Sequence, residues 1–318
     1  MPSNARTSVK PNLLLLDSFT ASTEAEFEKL FTVHRFYSEG FSLDEVAPDI
    51  RAIATSGGRG AATEVVARLP ELQIIAIRGV GTDGVDLPYA RSRNIHVTTT
   101  PNLLTEDVAD FAIALLLATA RGVGAGERFV RSGKWSVGVT LPLGRKVTGM
   151  RIGIVGLGRV GRAIARRASG FGMQISYTDL KEADGIDYSF VSGIEELAKS
   201  CEALILAASG GAQSYKIVNK SVLEALGPRG ILINVARGSL VDEEALVAAL
   251  ESQALGGAGL DVFAHEPDVP AVLYKLDNVV LQPHRASATH ETRMAMEALV
   301  LENLRAHFAG EALPSPVP

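Results

Sequence analysis

Short apolar runs alternate with helical patterns along most of the chain. Leu13–Leu16, Ile50–Ala54, Leu72–Ile77 and His96–Thr98 read as strands. Thr23–Leu30, Ala61–Leu69 and Leu87–Ser92 read as the helices between them. A strand–helix–strand alternation predicts a parallel sheet covered on both faces. Thr100-Pro101-Asn102 interrupts the series. A long apolar helix is predicted over Glu106–Arg121, with Thr105 as its N-cap. From Arg121 to Thr148 the chain is rich in glycine and basic residues, shows little strand character, and holds the only tryptophan, Trp135.

A second alternating series starts at Arg151. Strands are predicted at Ile152–Val155, Gln174–Thr178, Leu204–Ala207, Ile231–Val235, Gly257–Val262 and Asn278–Leu281. The helices fall at Val160–Ser169, Ile194–Ala198, Ser221–Leu226 and Asp242–Gln253, with a terminal amphipathic helix at Thr289–Phe308. The pattern is two doubly wound α/β units, one after the other. A length of 318 residues suits two domains and a sizeable core without disulfide or metal staples.

Composition narrows the function classes. Apolar residues make up 47% and charged residues 21%, which argues against long disorder. The net charge of −5 leaves no basic excess to neutralise phosphates, so nucleic acid is not an expected partner. A single cysteine, Cys201, excludes a disulfide framework and fits a reducing compartment. The run Phe111–Ala120 is well short of the roughly 20 residues needed to span a bilayer, and Leu13–Leu16 is too short for a secretory core. A soluble, cytoplasmic protein with no membrane partner is expected.

Gly156-Leu157-Gly158-Arg159-Val160-Gly161 directly follows a predicted strand and opens a helix. In that context the glycines permit a tight turn, close approach to a pyrophosphate, and packing of helix on sheet. The helix N-terminus adds partial positive charge where phosphates sit. Asp179 lies 18 residues after Gly161, at the end of the next strand. A carboxylate there accepts from an adenosine ribose and repels a 2′-phosphate, so NAD(H) is favoured. Lys181 two residues on leaves NADP(H) possible.

Three later segments each place an ionisable residue at the C-terminal end of a predicted strand, the edge where open α/β sheets bind ligands. They are Asn234–Asp242 with Arg237, Leu260–Pro267 with Asp261 and Glu266, and Gln282–Ser287 with His284. Together with the glycine loop and the Pro101–Asp110 stretch, they resemble the signature regions of the D-isomer-specific 2-hydroxyacid dehydrogenases. The resemblance runs from about Leu13 to Leu313. Its pattern is most like the glyoxylate/hydroxypyruvate and hydroxyphenylpyruvate reductases. Arg237 and Glu266 stand 29 positions apart, and Glu266 and His284 stand 18 apart, as in the family's Arg, Glu and His.

The resemblance implies a Rossmann-type cofactor domain over 103–285. It implies a flavodoxin-like substrate domain over 1–102 and 286–318, with a cleft between the two. The implied reaction is NAD(P)H-dependent reduction of a 2-keto acid to the D-2-hydroxy acid. His284 would be the general acid, Glu266 the carboxylate that raises its pKa, and Arg237 the fork that holds the substrate carboxylate. Asp261 would bind the nicotinamide amide. Ala208, Val235 and Ala236 would complete the cofactor contacts made by Gly156, Gly158, Arg159, Val160, Gly161 and Asp179. Arg78-Gly79-Val80-Gly81 resembles the loop whose backbone N–H groups bind the substrate carboxylate; the Arg78 side chain either adds charge there or points outward. Thr55–Gly58 would line the same pocket.

No metal is implied, and no HxxxH or CxxC spacing is present. A homodimer through about 103–148 is implied. Within that segment Gly138 stands where an aromatic residue often reaches the partner's pocket, which suggests a roomier site. Ala208–Ser214 departs from the family's usual turn. Two alternatives remain at this stage. One is a non-catalytic NAD-sensing protein of the same fold. The other is a phosphoglycerate- or formate-dehydrogenase-like enzyme, although formate dehydrogenases carry Gln where this chain has Glu266.

Overall fold

The computed structural model describes residues 10–318; residues 1–9 of the expected first domain lie outside them. The chain divides into two compact units. One comprises the residues up to Leu104 together with Thr289–Pro318, the other Thr105–Ala288.

The first unit is built on a parallel sheet of β1 (Asn12–Leu15), β2 (Thr32–Arg35), β3 (Ile50–Ser56), β4 (Ile74–Arg78) and β5 (His96–Thr98). The order is β2-β1-β3-β4-β5, which is the flavodoxin-like arrangement. Central strands covered on both faces read as unbroken apolar runs. Leu13, Leu14 and Leu15 are accordingly inaccessible to solvent. Leu14, Ile53 and Ile75 face one core. Leu13, Leu15, Ala54 and Ile74 face the other, where Phe27 joins Val300 and Leu304 of the terminal helix His290–Ala309. That helix closes the sheet of the first unit.

The second unit holds β6 (Arg151–Val155), β7 (Gln174–Thr178), β8 (Ser189–Phe190), β9 (Ala203–Leu206), β10 (Ile231–Asn234), β11 (Gly257–Leu260) and β12 (Val279–Leu281). They form one parallel sheet in the order β12-β11-β10-β9-β6-β7-β8. This is the doubly wound Rossmann order with one added edge strand. The direction of winding reverses between β6 and β9, so the loops leaving those two strands open a crevice at the C-terminal edge.

Two local expectations change. Thr105 is the first residue of the helix Thr105–Arg121, not a cap outside it. The stretch after Arg121 contains a further helix, Val123–Arg131, with no buried residue, and a short 3₁₀ turn over Lys134–Val137. Gly124 and Gly126 weaken the helical signal there. Among the described residues no single helix is long and apolar enough to cross a membrane; Thr105–Arg121 and Val123–Arg131 reach that length only as a pair bent by 61°.

Candidate active site

The glycine loop leaves β6 at the switch point. Gly156 has φ +89°, and a methyl group there would lie 2.7 Å from the Cα of Ala208. The loops after β6 and β9 therefore touch, and this contact brings Ala208 to the glycine loop. A methyl at Gly161 would overlap the Gly156 carbonyl oxygen, so helix and loop pack at backbone distance. At Gly158 nothing lies within 4 Å of where a methyl would stand. Gly158 is also the N-cap of the helix Arg159–Ser169, and no side chain caps it. An open glycine on an uncapped helix N-terminus fits a pyrophosphate, which needs backbone approach and N–H donors. Asp179 accepts from the Leu157 N–H at 2.8 Å and from the Leu180 N–H at 2.7 Å. Its carboxylate is thereby fixed beside the loop.

Arg237 follows a turn closed by Asn234. The buried Asn234 amide donates to the Arg237 carbonyl at 2.9 Å, and its oxygen accepts the Ala236 N–H at 3.0 Å. Val235 and Ala236 are buried inside this turn. The half-buried Arg237 directs one guanidinium N–H to the Ala236 carbonyl at 2.6 Å. Next comes Gly238, where a methyl would overlap the backbone carbonyl of Phe263. Glycine here lets the Arg237 loop lie directly on the segment that carries Glu266.

His284 and Glu266 form a pair, with Nδ1 of the imidazole 2.6 Å from Oε2 of the carboxylate. The other Glu266 oxygen accepts the Phe263 N–H at 3.0 Å. Burial opposes ionisation of Glu266, but the His284 hydrogen bond and charge, the Phe263 N–H and the Arg237 charge outweigh it and hold its pKa below the usual range. The same hydrogen bond raises the His284 pKa, against burial and the Arg237 charge. Glu266 is ionised at neutral pH, so Nδ1 carries the shared proton and Nε2 is the ring atom left for proton transfer. His284 has φ +48°, a left-handed backbone unusual for a side-chain-bearing residue. Its N–H donates to the Asp261 carbonyl at 2.8 Å.

Asp261 supplies more of that support. Its two carboxylate oxygens accept the N–H groups of Arg285 and Ala286, each at 2.8 Å. The side chain has no accessible surface. Burial raises its pKa, with the two N–H donors working against the shift. Through these two bonds Asp261 ties down the loop that carries His284. Glu243 adds a further tie by accepting the Ala264 N–H at 3.0 Å.

In the first unit the loop after β4 differs from expectation. The Arg78 side chain does not point outward. Its side chain turns inward, to Glu297 at 2.8 Å, the Ser18 carbonyl at 2.9 Å and Asp17 at 3.3 Å. Its long side chain lets it cross beneath the loop to these partners. The Gly79 N–H is also engaged, by the Thr100 hydroxyl at 2.8 Å. The buried Thr55 hydroxyl donates to the Gly60 carbonyl at 2.6 Å. The loop's remaining candidates for anion binding are the Val80 and Gly81 N–H groups.

Two glycine-containing turns have local explanations. Gly138 has φ +83° and ends the 3₁₀ turn, so its backbone asks for glycine whatever lies nearby. The unusual Ala208–Ser214 segment is closed by Ser214, whose hydroxyl donates to the Ser209 carbonyl at 2.8 Å.

The described geometry has close counterparts. Residues 113–286 match the family model for the D-isomer specific 2-hydroxyacid dehydrogenase NAD binding domain. A 2-ketogluconate reductase from Gluconobacter oxydans is 44% identical over 310 residues, covering 98% of this chain and 99% of that one. A hydroxyphenylpyruvate reductase from Plectranthus scutellarioides is 42% identical over 308 residues, covering 96% and 98%. The chain belongs to the D-isomer-specific 2-hydroxyacid dehydrogenase family. The crystal structure of an NADPH-dependent glyoxylate/hydroxypyruvate reductase from Sinorhizobium meliloti, in complex with NADP and malonate, aligns with a TM-score of 0.91 at 40% identity. That alignment covers 97% of each chain.

As a member of this family the chain is an NAD(P)-dependent oxidoreductase. The glycine loop, with its open Gly158 and close-packed Gly156 and Gly161, fits the dinucleotide that this chemistry requires. Asn234, Gly238, Thr100 and Glu243 were not singled out as site residues from the sequence. Only Asn234 carried a visible signal, as the polar end of the apolar run Ile231-Leu232-Ile233. Cys201 takes no part in the site. Burial pushes its thiol pKa up to about 12, which leaves it unreactive.

Proposed function

We propose that this enzyme reduces a 2-keto acid to the D-2-hydroxy acid, with NADH as its preferred cofactor. The observation that carries this reading is the 2.6 Å His284–Glu266 pair held beside Arg237. Keto reduction needs a proton at the carbonyl oxygen and a clamp on the neighbouring carboxylate, and these three side chains supply both. When bound, the reduced nicotinamide provides the hydride. Arg237 engages the substrate carboxylate through its planar fork and polarises the adjacent carbonyl. In the first unit, the Val80 and Gly81 N–H groups are donors suited to a substrate carboxylate. His284 donates the proton from Nε2 to the carbonyl oxygen, while Glu266 keeps the imidazolium loaded at neutral pH. In the oxidative direction neutral His284 accepts the hydroxyl proton. The second unit thus acts as cofactor domain and the first as substrate domain.

Asp179 supports the cofactor preference, since a carboxylate fixed beside the glycine loop favours a free ribose 2′-hydroxyl over a 2′-phosphate. The relatives that act on 2-ketogluconate and hydroxyphenylpyruvate support a substrate with a longer tail than glyoxylate. Exposed Val123, Val130, Trp135 and Val137 support a homodimer through about 103–148. A buried, unpaired Cys201 supports a reducing location, the cytoplasm.

Initial rates with NADH and NADPH across glyoxylate, hydroxypyruvate, pyruvate, 2-ketogluconate and 4-hydroxyphenylpyruvate test the reading. Turnover is expected with at least one of the longer keto acids, at a higher kcat/KM than with glyoxylate. NADH should exceed NADPH by about tenfold or more, since one charge-assisted hydrogen bond is worth about 1.5–3 kcal/mol. Absence of oxidation of either cofactor with every acid would favour a non-catalytic NAD-binding role.

A further inference from the structure

We infer that Glu297, a buried carboxylate of the terminal helix, is a positioning residue that sets the substrate loop after β4. The inference rests on the proposal that Val80 and Gly81 bind the substrate carboxylate.

Glu297 is inaccessible to solvent and Arg78 nearly so, at 0% and 8% exposure. A carboxylate so placed must be paired and hydrogen-bonded to remain charged. One Glu297 oxygen accepts from Arg78 at 2.8 Å. The other accepts the Thr20 hydroxyl at 2.6 Å and the Thr20 N–H at 3.1 Å. Arg78 also reaches the Ser18 carbonyl and Asp17, and its guanidinium lies 4.7 Å from the centre of the Phe19 ring. Two separate segments of the first unit, residues 17–19 and the terminal helix, therefore converge on the guanidinium at the end of β4.

A buried ion pair is weak evidence of a stability role, because apolar residues of similar volume often serve the fold as well. The best-supported use of such pairs is to fix one arrangement among several. Arg78 is the last residue of β4, and Gly79 is the first of the loop. On the other side Thr100 holds Gly79 through its hydroxyl, which accepts the Gly79 N–H at 2.8 Å and donates to the Gly79 carbonyl at 3.2 Å, and through its own N–H, which donates to that carbonyl at 2.7 Å. Glu297 fixes the residue before the loop and Thr100 fixes its first residue. Val80 and Gly81 are thereby held in place with their own N–H groups uncommitted to these clamps.

Steady-state kinetics of Glu297→Gln, Glu297→Asp and the double replacement Arg78→Met with Glu297→Leu test the inference. Melting temperatures are measured alongside. Glu297→Gln and the double variant are expected to raise the keto acid KM about tenfold or more, with kcat and the NADH KM within about twofold of wild type, because lost ground-state positioning appears in KM. Glu297→Asp should recover part of the loss. A keto acid KM within twofold of wild type in either folded variant, whatever the melting temperature, would overturn the inference. So would failure of both to fold, since the cluster would then serve the fold alone. Val80→Pro, which removes one loop N–H, separates the two readings. If it leaves the keto acid KM unchanged, the loop assignment itself fails. If it raises KM while Glu297→Gln does not, only the role of Glu297 fails.

Discussion

Replacing His284 with Asn is expected to lower kcat for keto acid reduction by about 10²–10⁴-fold, the range typical of a lost general acid. Asn is the informative choice because residue 284 has φ +48°. Among side-chain-bearing residues Asn tolerates that left-handed backbone best. It also keeps the backbone N–H that donates to Asp261. The melting temperature should therefore stay close to wild type, and NADH binding followed by fluorescence should stay within about twofold. A variant that retains more than a tenth of wild-type kcat would remove His284 from proton transfer. A variant that fails to bind NADH would instead mean that the His284 loop supports the cofactor site.

Arg237→Leu is expected to cost about 10²–10³-fold in kcat/KM. Truncating one partner of a buried, hydrogen-bonded charge pair costs about 2–5 kcal/mol, and each 1.4 kcal/mol is tenfold. Arg237→Lys should recover only part of this, because an ammonium cannot reproduce two parallel N–H donors. The loss has a second signature. The Arg237 charge lowers the His284 pKa and helps hold that of Glu266 down. Without it His284 gives up its proton at higher pH, so the alkaline fall in reduction rate should move upward in Arg237→Leu. A fall of less than tenfold in kcat/KM would contradict the carboxylate-binding role.

The strands that enclose the two cores were readable because buried parallel strands are continuous apolar runs. β2 was not, since Thr32-Val33-His34-Arg35 pairs only with β1 at the sheet edge and none of it is fully buried. Arg237, Glu266 and His284 each stood out as an ionisable residue at a strand end, and the family resemblance grouped them as a set. What spacing does not show is how the set is held. Gly238 matters through the Phe263 backbone, 25 positions later in the sequence, and Asp261 through the N–H groups of Arg285 and Ala286. The direction of the Arg78 side chain, left open between two alternatives, was not legible for the same reason. Its partner Glu297 lies 219 positions away, on a helix that folds back to the first sheet. Side-chain direction at a strand end depends on such distant partners, and a local pattern does not contain them.

The central claim is that reduction draws its proton from His284 and that Glu266 keeps that proton in place. The pH dependence of kcat/KM for keto acid reduction, in wild type and in Glu266→Gln, tests it most directly. Reduction needs protonated His284, so the wild-type rate should be level at low pH and fall as pH rises through the His284 pKa, which Glu266 holds above the usual imidazole value. Removing the carboxylate charge lowers that pKa, and the fall in Glu266→Gln should begin at lower pH. A fall at the same pH in both enzymes, or no alkaline fall in wild type, would contradict it.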